Sequence, residues 1–293
     1  MDAVITYVDN TVKEWQNSWY KAIGRPWQPV RFREWGTLRY LLRGIAEYMP
    51  FIEKVHLVVC QRSQVPAWVN RRTVNVVLHK DIIPEELLPT FNSNVIEFFF
   101  HNIKGLGNEF VYFNDDMFPV APCVPEDFFE DGKIRSKVGV AKNATTMFQQ
   151  YCRNATELAL DLAGRPRLQG RDYFRIRHSV SPMRLDLYRE VVELGHDRLW
   201  MSFTRLRDWV NICQHVFIYY ANLKGECTGR PLSSKYIALS SATSAVATDA
   251  ILHPQAKLLC LNDCCEHDRY ESVRATVTEA FESALPSKCR FEI

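Results

Sequence analysis

The sequence predicts an α/β fold with a mostly parallel sheet in its first half and a helical insert in its second. Two observations carry this. Short apolar, β-branched runs alternate with a helix-period segment through residue 116, and that order argues for parallel pairing through right-handed crossovers. Two long helix-period segments, at 144–162 and 207–223, then intervene before a strand-like run returns at Lys257–Asn262. One domain over 1–293, with the insert at 143–225, is the organisation expected.

Each element has a local reason. Ala3–Val8 is an apolar strand that stops at the turn signal Asp9-Asn10. In Glu34–Tyr48, the residues Leu38, Leu41, Leu42, Ile45 and Tyr48 fall at helical spacing, and Pro50 follows the end. Val55–Cys60 is an apolar run of strand length, and Thr73–Leu78 alternates and is β-branched. Asn92-Ser93 can cap a helix over 94–103, which Gly105 and Gly107 would stop. Phe110–Phe113 is a strand running into Asn114-Asp115-Asp116. An Arg-rich stretch, with Pro182 at an expected helix start, separates the two long helices. Asp268–Leu285 reads as an amphipathic closing helix.

Composition narrows the function. Of 293 residues, 47% are hydrophobic and 24% charged, which is ordinary for a globular chain and argues against disorder. Lys and Arg number 36 against 34 Asp and Glu, a balance too even for a generic nucleic-acid binder. No apolar run approaches the roughly 18 residues of a membrane span. The start is acidic at Asp2 where a signal peptide would be basic, so a cytosolic chain is expected. The nine scattered cysteines are then read as reduced thiols. Asn143-Ala-Thr and Asn154-Ala-Thr match a glycosylation sequon that needs a secretory route.

Candidate chemistry sits at strand ends. Ligands of open parallel sheets bind outside the carboxyl ends of the strands. Asp9, Asn114-Asp115-Asp116 and Asn262-Asp263 all occupy such positions if the last strand is parallel to the others. Carboxylates converging there suit Mg²⁺ or Mn²⁺ with phosphates completing the shell. Because successive strand residues face opposite ways, only one of Asp115 and Asp116 is a simple ligand unless the chain turns. Solvated or capping carboxylates in a loop are the other reading.

Seven arginines lie between Arg165 and Arg189, and within them is Arg177-His178-Ser179. Arg suits bidentate phosphate contact, and a histidine among phosphate-binding groups suits a general base toward a hydroxyl. A solvated basic face with an incidental histidine is the alternative. The cluster Cys260 to His267 lacks the second ligand pair of common zinc sites, so buried thiols beside Asn262-Asp263 are expected instead. No phosphate loop, dinucleotide fingerprint or nucleophile elbow is present, and Cys152 and Cys213 have no nucleophile motif around them.

These residues also form a pattern. Ala3-Val-Ile-Thr-Tyr-Val-Asp9 followed by Glu14-Trp15 resembles the first region of the Stealth family. Arg31-Phe-Arg-Glu-Trp-Gly-Thr-Leu-Arg-Tyr40, Pro66-Ala-Trp68, Leu88-Pro-Thr-Phe-Asn-Ser-Asn94 with Ile96-Glu97, Gly105-Leu and Tyr112-Phe-Asn-Asp-Asp116 are similar to its second. Arg177-His178 with Pro182-Met183 is similar to the third, and Leu261-Asn262-Asp263 with Ser287-Lys-Cys-Arg-Phe291-Glu292 to the fourth. The four blocks occur in order over nearly the whole chain. One departure stands out: the family's Trp-Val-Asp-Gly-Ser-Asp is here Tyr7-Val8-Asp9-Asn10-Thr11-Val12.

The resemblance implies a Rossmann-like sheet of the nucleotide-sugar transferase type. It implies a sugar-1-phosphate transferase with a UDP-sugar donor, an oligosaccharide or polysaccharide acceptor, and Mg²⁺ or Mn²⁺. On that reading Asp115, Asp116 and Asp263 hold the metal, and His178 is the general base. Arg177 and Arg39 hold phosphate oxygens. Thr6, Tyr7 and Asp9 lie against the nucleoside, while Asn114 and Asn262 orient the donor. Peripheral attachment at the inner membrane face, through the Arg-rich stretch or the closing helix, would gain about 1 kcal/mol per basic residue. A conventional glycosyltransferase, an inactive nucleotide-sugar or glycan binder, and a phosphoesterase are the competing readings.

Overall fold

The structure, a computed structural model, describes residues 1–293 and is a mixed α/β fold. In chain order the strands are β1 (Asp2–Thr6), β2 (Lys54–Val59), β3 (Val74–Leu78), β4 (Glu109–Asn114), β5 (Met117–Pro119), β6 (Phe129–Glu130), β7 (Lys133–Ile134), β8 (Gly139–Ala141), β9 (Tyr173–Arg175), β10 (Ser181–Arg184), β11 (Ser234–Leu239) and β12 (Leu258–Asp263). The helices are α1 (Lys13–Ile23), α2 (Leu38–Tyr48), α3 (His79–Ile82), α4 (Ser93–Ile96), α5 (Met147–Leu162), α6 (Leu185–Leu194), α7 (His196–Ser202), α8 (His215–Leu223), α9 (Ser244–Leu252) and α10 (Tyr270–Ala284).

The central sheet runs in the order β10-β4-β1-β2-β3. Its four main strands are parallel, and β10 closes the β4 edge antiparallel. Period-two alternation splits the core. Ala3, Ile5, Val55, Leu57, Val111 and Phe113 face one apolar layer, which holds α2 and α10. Val4, Val58, Phe110 and Tyr112 face the other, which holds α5, α6 and α8. Residues 143–225, expected as an insert, therefore form the layer over one sheet face and also supply β10. The strand β12 is not in the central sheet. It pairs parallel with β11 and antiparallel with β5 in a second, three-stranded sheet.

Several helix expectations are corrected. The segment 34–37 is not helical: Gly36 takes φ +75°, and its N–H donates to the Glu34 carboxylate, so the helix starts at Leu38. The predicted helix over 94–103 stops at Ile96 and resumes as a single tight turn at Phe100–Asn102. Phe98, Phe99 and Phe100 are all buried, and three successive residues cannot share one face of a helix. Residues 207–214 form a loop, with helix only from His215. Pro182 lies in β10, an edge strand, where a missing N–H is tolerated. The elements β11 and α9 were not legible as separate units.

α2 lies close over β5. A Cβ on Gly44 would stand 2.5 Å from the Pro119 carbonyl oxygen, a backbone atom that cannot swing away. In an open helix Gly→Ala stabilises by about 1 kcal/mol. Here Gly44→Ala is expected to reverse that sign and cost roughly 1–3 kcal/mol in urea unfolding. A gain in stability would mean that α2 is free to lift.

Candidate active site

Topology gathers the site. β1 and β4 run parallel and end level, with Thr6 opposite Asn114. The chain turns at Asp115-Asp116 before β5, so these two carboxylates are not held to opposite faces as strand residues would be. The antiparallel run of β10, with Ser181 opposite Tyr112, brings His178, three residues before Ser181, to the same edge. The second sheet is joined there as well: Leu261 N–H donates to the Asp116 carbonyl at 2.9 Å. As a result Asp116, His178 and Cys260 present ligand atoms within 4.8 Å of one another.

One wall of the site is acidic. Burial, with the charges of Asp116 and Glu34, pushes the Asp115 carboxyl up to about 8. Burial likewise lifts Asp116 to about 6, although Arg207 pulls the other way. Asp116 Oδ1 is buried with no protein partner. The Tyr7 phenol, surrounded by Glu34, Asp9 and Asp115, is driven far above its usual range, chiefly by burial. Crowded carboxylates with an orphaned oxygen are what a cation relieves, so this donor set is compatible with a divalent metal.

The metal fit has a pH signature. Protons held by Asp115 and Asp116 near pH 6 compete with a cation. Both folded values lie above the unfolded one of about 3.9. These groups therefore stabilise the metal-free fold fully below that value and lose the contribution as pH rises through about 6 to 8. The rise in Tm on adding Mn²⁺ is expected to be larger near pH 8 than near pH 6. A shift that shrinks toward pH 8 would contradict a carboxylate site.

The opposite wall is basic. Arg207 donates to Ser93 Oγ at 2.8 Å, and its charge opposes the burial that raises Asp116, Glu97 and Tyr151. Arg31 stands close enough that its guanidinium is destabilised by burial and by Arg207. Two guanidiniums that repel each other, beside a carboxylate pocket, make a receptor for a polyanion. Burial, with His215 and Arg207 nearby, pushes His178 down to about 4, so its imidazole is neutral near pH 7 and free to take a proton. Phe148 and Tyr236 pack edge-on against that ring, with centroids at 5.9 and 5.7 Å.

The Asn92-Ser93-Asn94 block explains how Arg207 is placed. Asn92 is fully buried, and its Nδ2 reaches the carbonyls of Thr204 and Leu206 and Asn211 Oδ1 at 2.9–3.2 Å. Its Oδ1 accepts from Asn94 N–H, which caps α4. The Asn92 amide is thus one anchor of the loop 203–211, with Asn154 Nδ2 on the Trp209 and Asn211 carbonyls and Phe91 N–H on the Arg205 carbonyl as others.

Other predicted residues sit differently. Asp263 is at the right strand end, but both its oxygens accept from Arg33 at 2.6 and 2.7 Å, with Trp35 Nε1 and Cys265 N–H adding to them. It is thus a clamp between two loops, with no free oxygen for a metal. Arg39 pairs with Glu292 at 3.3 Å and stacks on Trp68, so it belongs to the C-terminal cluster and not to a phosphate site. Arg177 is exposed and lines a cavity of about 20 Å³ with Ser136, Lys137 and Pro231. Within its stretch, Arg167 pairs with Asp161 and Arg184 with Asp186 and Glu226, as a solvated face would. Thr6 Oγ1 and Asn114 Oδ1 are 3.0 and 2.5 Å from the Tyr112 hydroxyl, itself 2.9 Å from Glu97 Oε1. Asp9 accepts from the Thr11 N–H and hydroxyl in a local turn. Asn262 reaches Cys264 Sγ at 3.3 Å.

Residues missed by sequence reasoning as site members are Glu34, Glu97, Arg31, Arg207 and Cys260. Buried Glu97, pushed up to about 7 by burial, sits between Tyr112 and the field of Arg207. For Glu97, Arg31 and Glu34 the available signal was their place in the blocks resembling the second family region.

The class that the fold defines is mixed α/β with a mostly parallel central sheet, and its carboxyl edge carries these carboxylates, the histidine and the guanidiniums. The family profile described as Stealth protein CR2, conserved region 2, matches residues 31–137. Capsular polysaccharide phosphotransferase WcwK of Streptococcus pneumoniae is 28% identical, the match covering 100% of this chain and 99% of that protein. A capsular polysaccharide phosphotransferase of Neisseria meningitidis serogroup B is 27% identical over 90% of this chain and 76% of its own length. Exopolysaccharide phosphotransferase cps2G of Lactiplantibacillus plantarum is 42% identical over 45% of this chain, a match spanning only 40% of that protein. The region 2 match and the phosphotransferase relatives that run the length of the chain together support a Stealth-type sugar-phosphate transferase. Solved structures overlay loosely: the galactosyltransferase LgtC, in complex with donor and acceptor sugar analogues, is 12% identical with a TM-score of 0.41, over 97% of this chain and 96% of that one. That likeness is too slight to add to the assignment.

Proposed function

We propose that this protein transfers a sugar-1-phosphate from a UDP-sugar to a hydroxyl of an oligosaccharide or polysaccharide, forming a phosphodiester and releasing UMP, in capsule or cell-surface polysaccharide synthesis. It is a phosphotransferase of the kind its relatives over the whole chain are named for. The observation that carries the finer reading is the meeting of Asp116 and His178, within 4.8 Å, in front of Arg207.

On this reading the acceptor oxygen attacks the β-phosphorus of the donor. The new O–P bond forms as the bond from that phosphorus to the bridging oxygen breaks, and the electron pair leaves with UMP. The neutral His178 imidazole takes the hydroxyl proton. Arg207 and Arg31 hold the phosphate oxygens, and their charge offsets what builds on the leaving phosphate. Asp115 and Asp116 would hold Mg²⁺ or Mn²⁺, whose chemistry is to neutralise diphosphate charge. Tyr7 and Asp9, at the end of β1, are proposed to face the nucleoside. Work on lipid-linked glycan would bring the chain to the inner membrane face, and no helix is long and apolar enough to cross a membrane.

The test is the nucleotide released. With Mg²⁺, a panel of UDP-sugars and a glycan acceptor, chromatography is expected to find UMP. UDP would replace this reading with conventional glycosyl transfer. Binding without turnover would make the protein a glycan or nucleotide-sugar binder, and transfer to water alone a phosphoesterase.

A further inference from the structure

A second ligand cluster lies behind the site. Cys152 is on α5, Cys213 stands two residues before α8, His215 opens α8, and Tyr219 follows one turn later. All four are buried, none more than 5% exposed. Cys152 Sγ lies 4.0 Å from Cys213 Sγ and 3.7 Å from His215 Nδ1, and the three ligand atoms all fall within 4.8 Å of one another. The Tyr219 hydroxyl is 3.4 Å from the same Nδ1.

We propose that Cys152, Cys213 and His215 bind one zinc ion, with the Tyr219 hydroxyl oxygen at the fourth position. Bonds of about 2.3 Å to sulfur and 2.0–2.1 Å to nitrogen place the ligands of a tetrahedral zinc roughly 3.4–3.8 Å apart. The distances of 4.0, 3.7 and 3.4 Å need only a small contraction to reach that range. A disulfide, at about 2.05 Å, would need the sulfurs to close by nearly 2 Å. Two thiols and an imidazole select a soft or borderline ion over Mg²⁺. Two thiolates also balance Zn²⁺ charge for charge, so the filled site is neutral in an apolar pocket. Tyr219 already donates its proton to the Phe174 carbonyl at 2.7 Å, which leaves an oxygen lone pair for the metal.

The site is separate from the proposed catalytic one but coupled to it. The Phe148 ring packs edge-on against both His178 and His215, with centroids at 5.9 Å in each case. The ion would tie α5 to the start of α8, and so anchor the far end of the 203–214 loop that carries Arg207. Its role is to position that loop, not to touch substrate.

Metal analysis of the full chain, expressed in zinc-replete medium and dialysed, tests this. About one zinc per chain is expected, falling to near zero in Cys152→Ala and Cys213→Ala and kept in Cys260→Ala and Cys289→Ala. Co²⁺ exchanged into the site should give an intense sulfur-to-metal charge-transfer band. Where the alanine variants do not fold, X-ray absorption of the wild-type zinc decides, since two sulfur neighbours are expected. One sulfur would place the ion at Cys260 and overturn the proposal. So would a folded, thiol-free-titrating chain that takes up neither metal, zinc retained in Cys213→Ala, or a Cys152–Cys213 disulfide found by mass.

Discussion

His178→Ala is expected to lower kcat for UMP release by roughly 10²–10⁴-fold, the usual worth of a positioned base. Tm should move little, because the ring makes only edge contacts with Phe148 and Tyr236. Arg207→Ala should cost a comparable factor for a different reason, the loss of charge complementarity to the phosphates. The two separate by pH. The His178 imidazole, held down to about 4 chiefly by burial with the Arg207 charge adding to it, rises once an anionic donor lies beside it. A falling acid limb in kcat is therefore expected for the wild type and Arg207→Ala, and is absent from His178→Ala. Full turnover in His178→Ala would remove the histidine from the chemistry.

Glu292→Gln carries the largest expected stability effect. Arg43 on α2 is buried and donates to Glu292 through Nε at 2.8 Å and Nη2 at 3.3 Å, and both side chains are almost wholly out of water. Removing the Glu292 charge leaves Arg43 only the half-exposed Glu282 carboxylate, at 3.1 Å, which costs about 3 kcal/mol at the low end for a buried pair. The low end applies because Arg43 Nη1 keeps the Leu285 carbonyl at 2.7 Å. The double variant Arg43→Met/Glu292→Met should recover much of the loss, since no charge is left buried. Burial pushes the Glu292 carboxyl up, but the Arg43 hydrogen bonds, the Cys289 N–H and the charges of Arg43 and Arg39 together outweigh it and hold the group below its ordinary value. A depressed pKa contributes stability above the unfolded value of about 4.3 that is lost as pH falls through the folded one. Glu292→Gln should accordingly show a shallower acid decline in urea unfolding. A loss under about 1 kcal/mol would sink the buried-pair account.

Both experiments turn on residues whose roles differ in how they were legible. His178 could be singled out because histidine next to arginine is a local pattern, whereas its proximity to Asp116 depends on β10 pairing backward against β4. Glu292 was read only as part of a family block, and its partner lies 249 residues away. Arg39 illustrates the reverse case. Its place in the Arg31–Tyr40 run suggested phosphate, yet the helix it sits on turns it toward Glu292 and Trp68. The cysteines divide similarly: the Cys260–Cys265 run looked like one unit, but Cys260 meets Asp116 and His178, and the long-range Cys152, Cys213 and His215 form a group of their own.

What the sequence determined by itself was the parallel strand set, the acidic turn after Phe113 and the strand ends where ligands bind. Each follows from period-two burial and turn chemistry within a few residues. The tertiary structure alone decided which charges are free. It gave Asp263 to Arg33 and so withdrew it from any cation, left Asp116 Oδ1 unpaired, and made Asn92 one anchor of the Arg207 loop. The reason is physical: an ion pair or a buried hydrogen bond depends on where two distant segments meet, and residue periodicity records only which face of its own element a side chain takes.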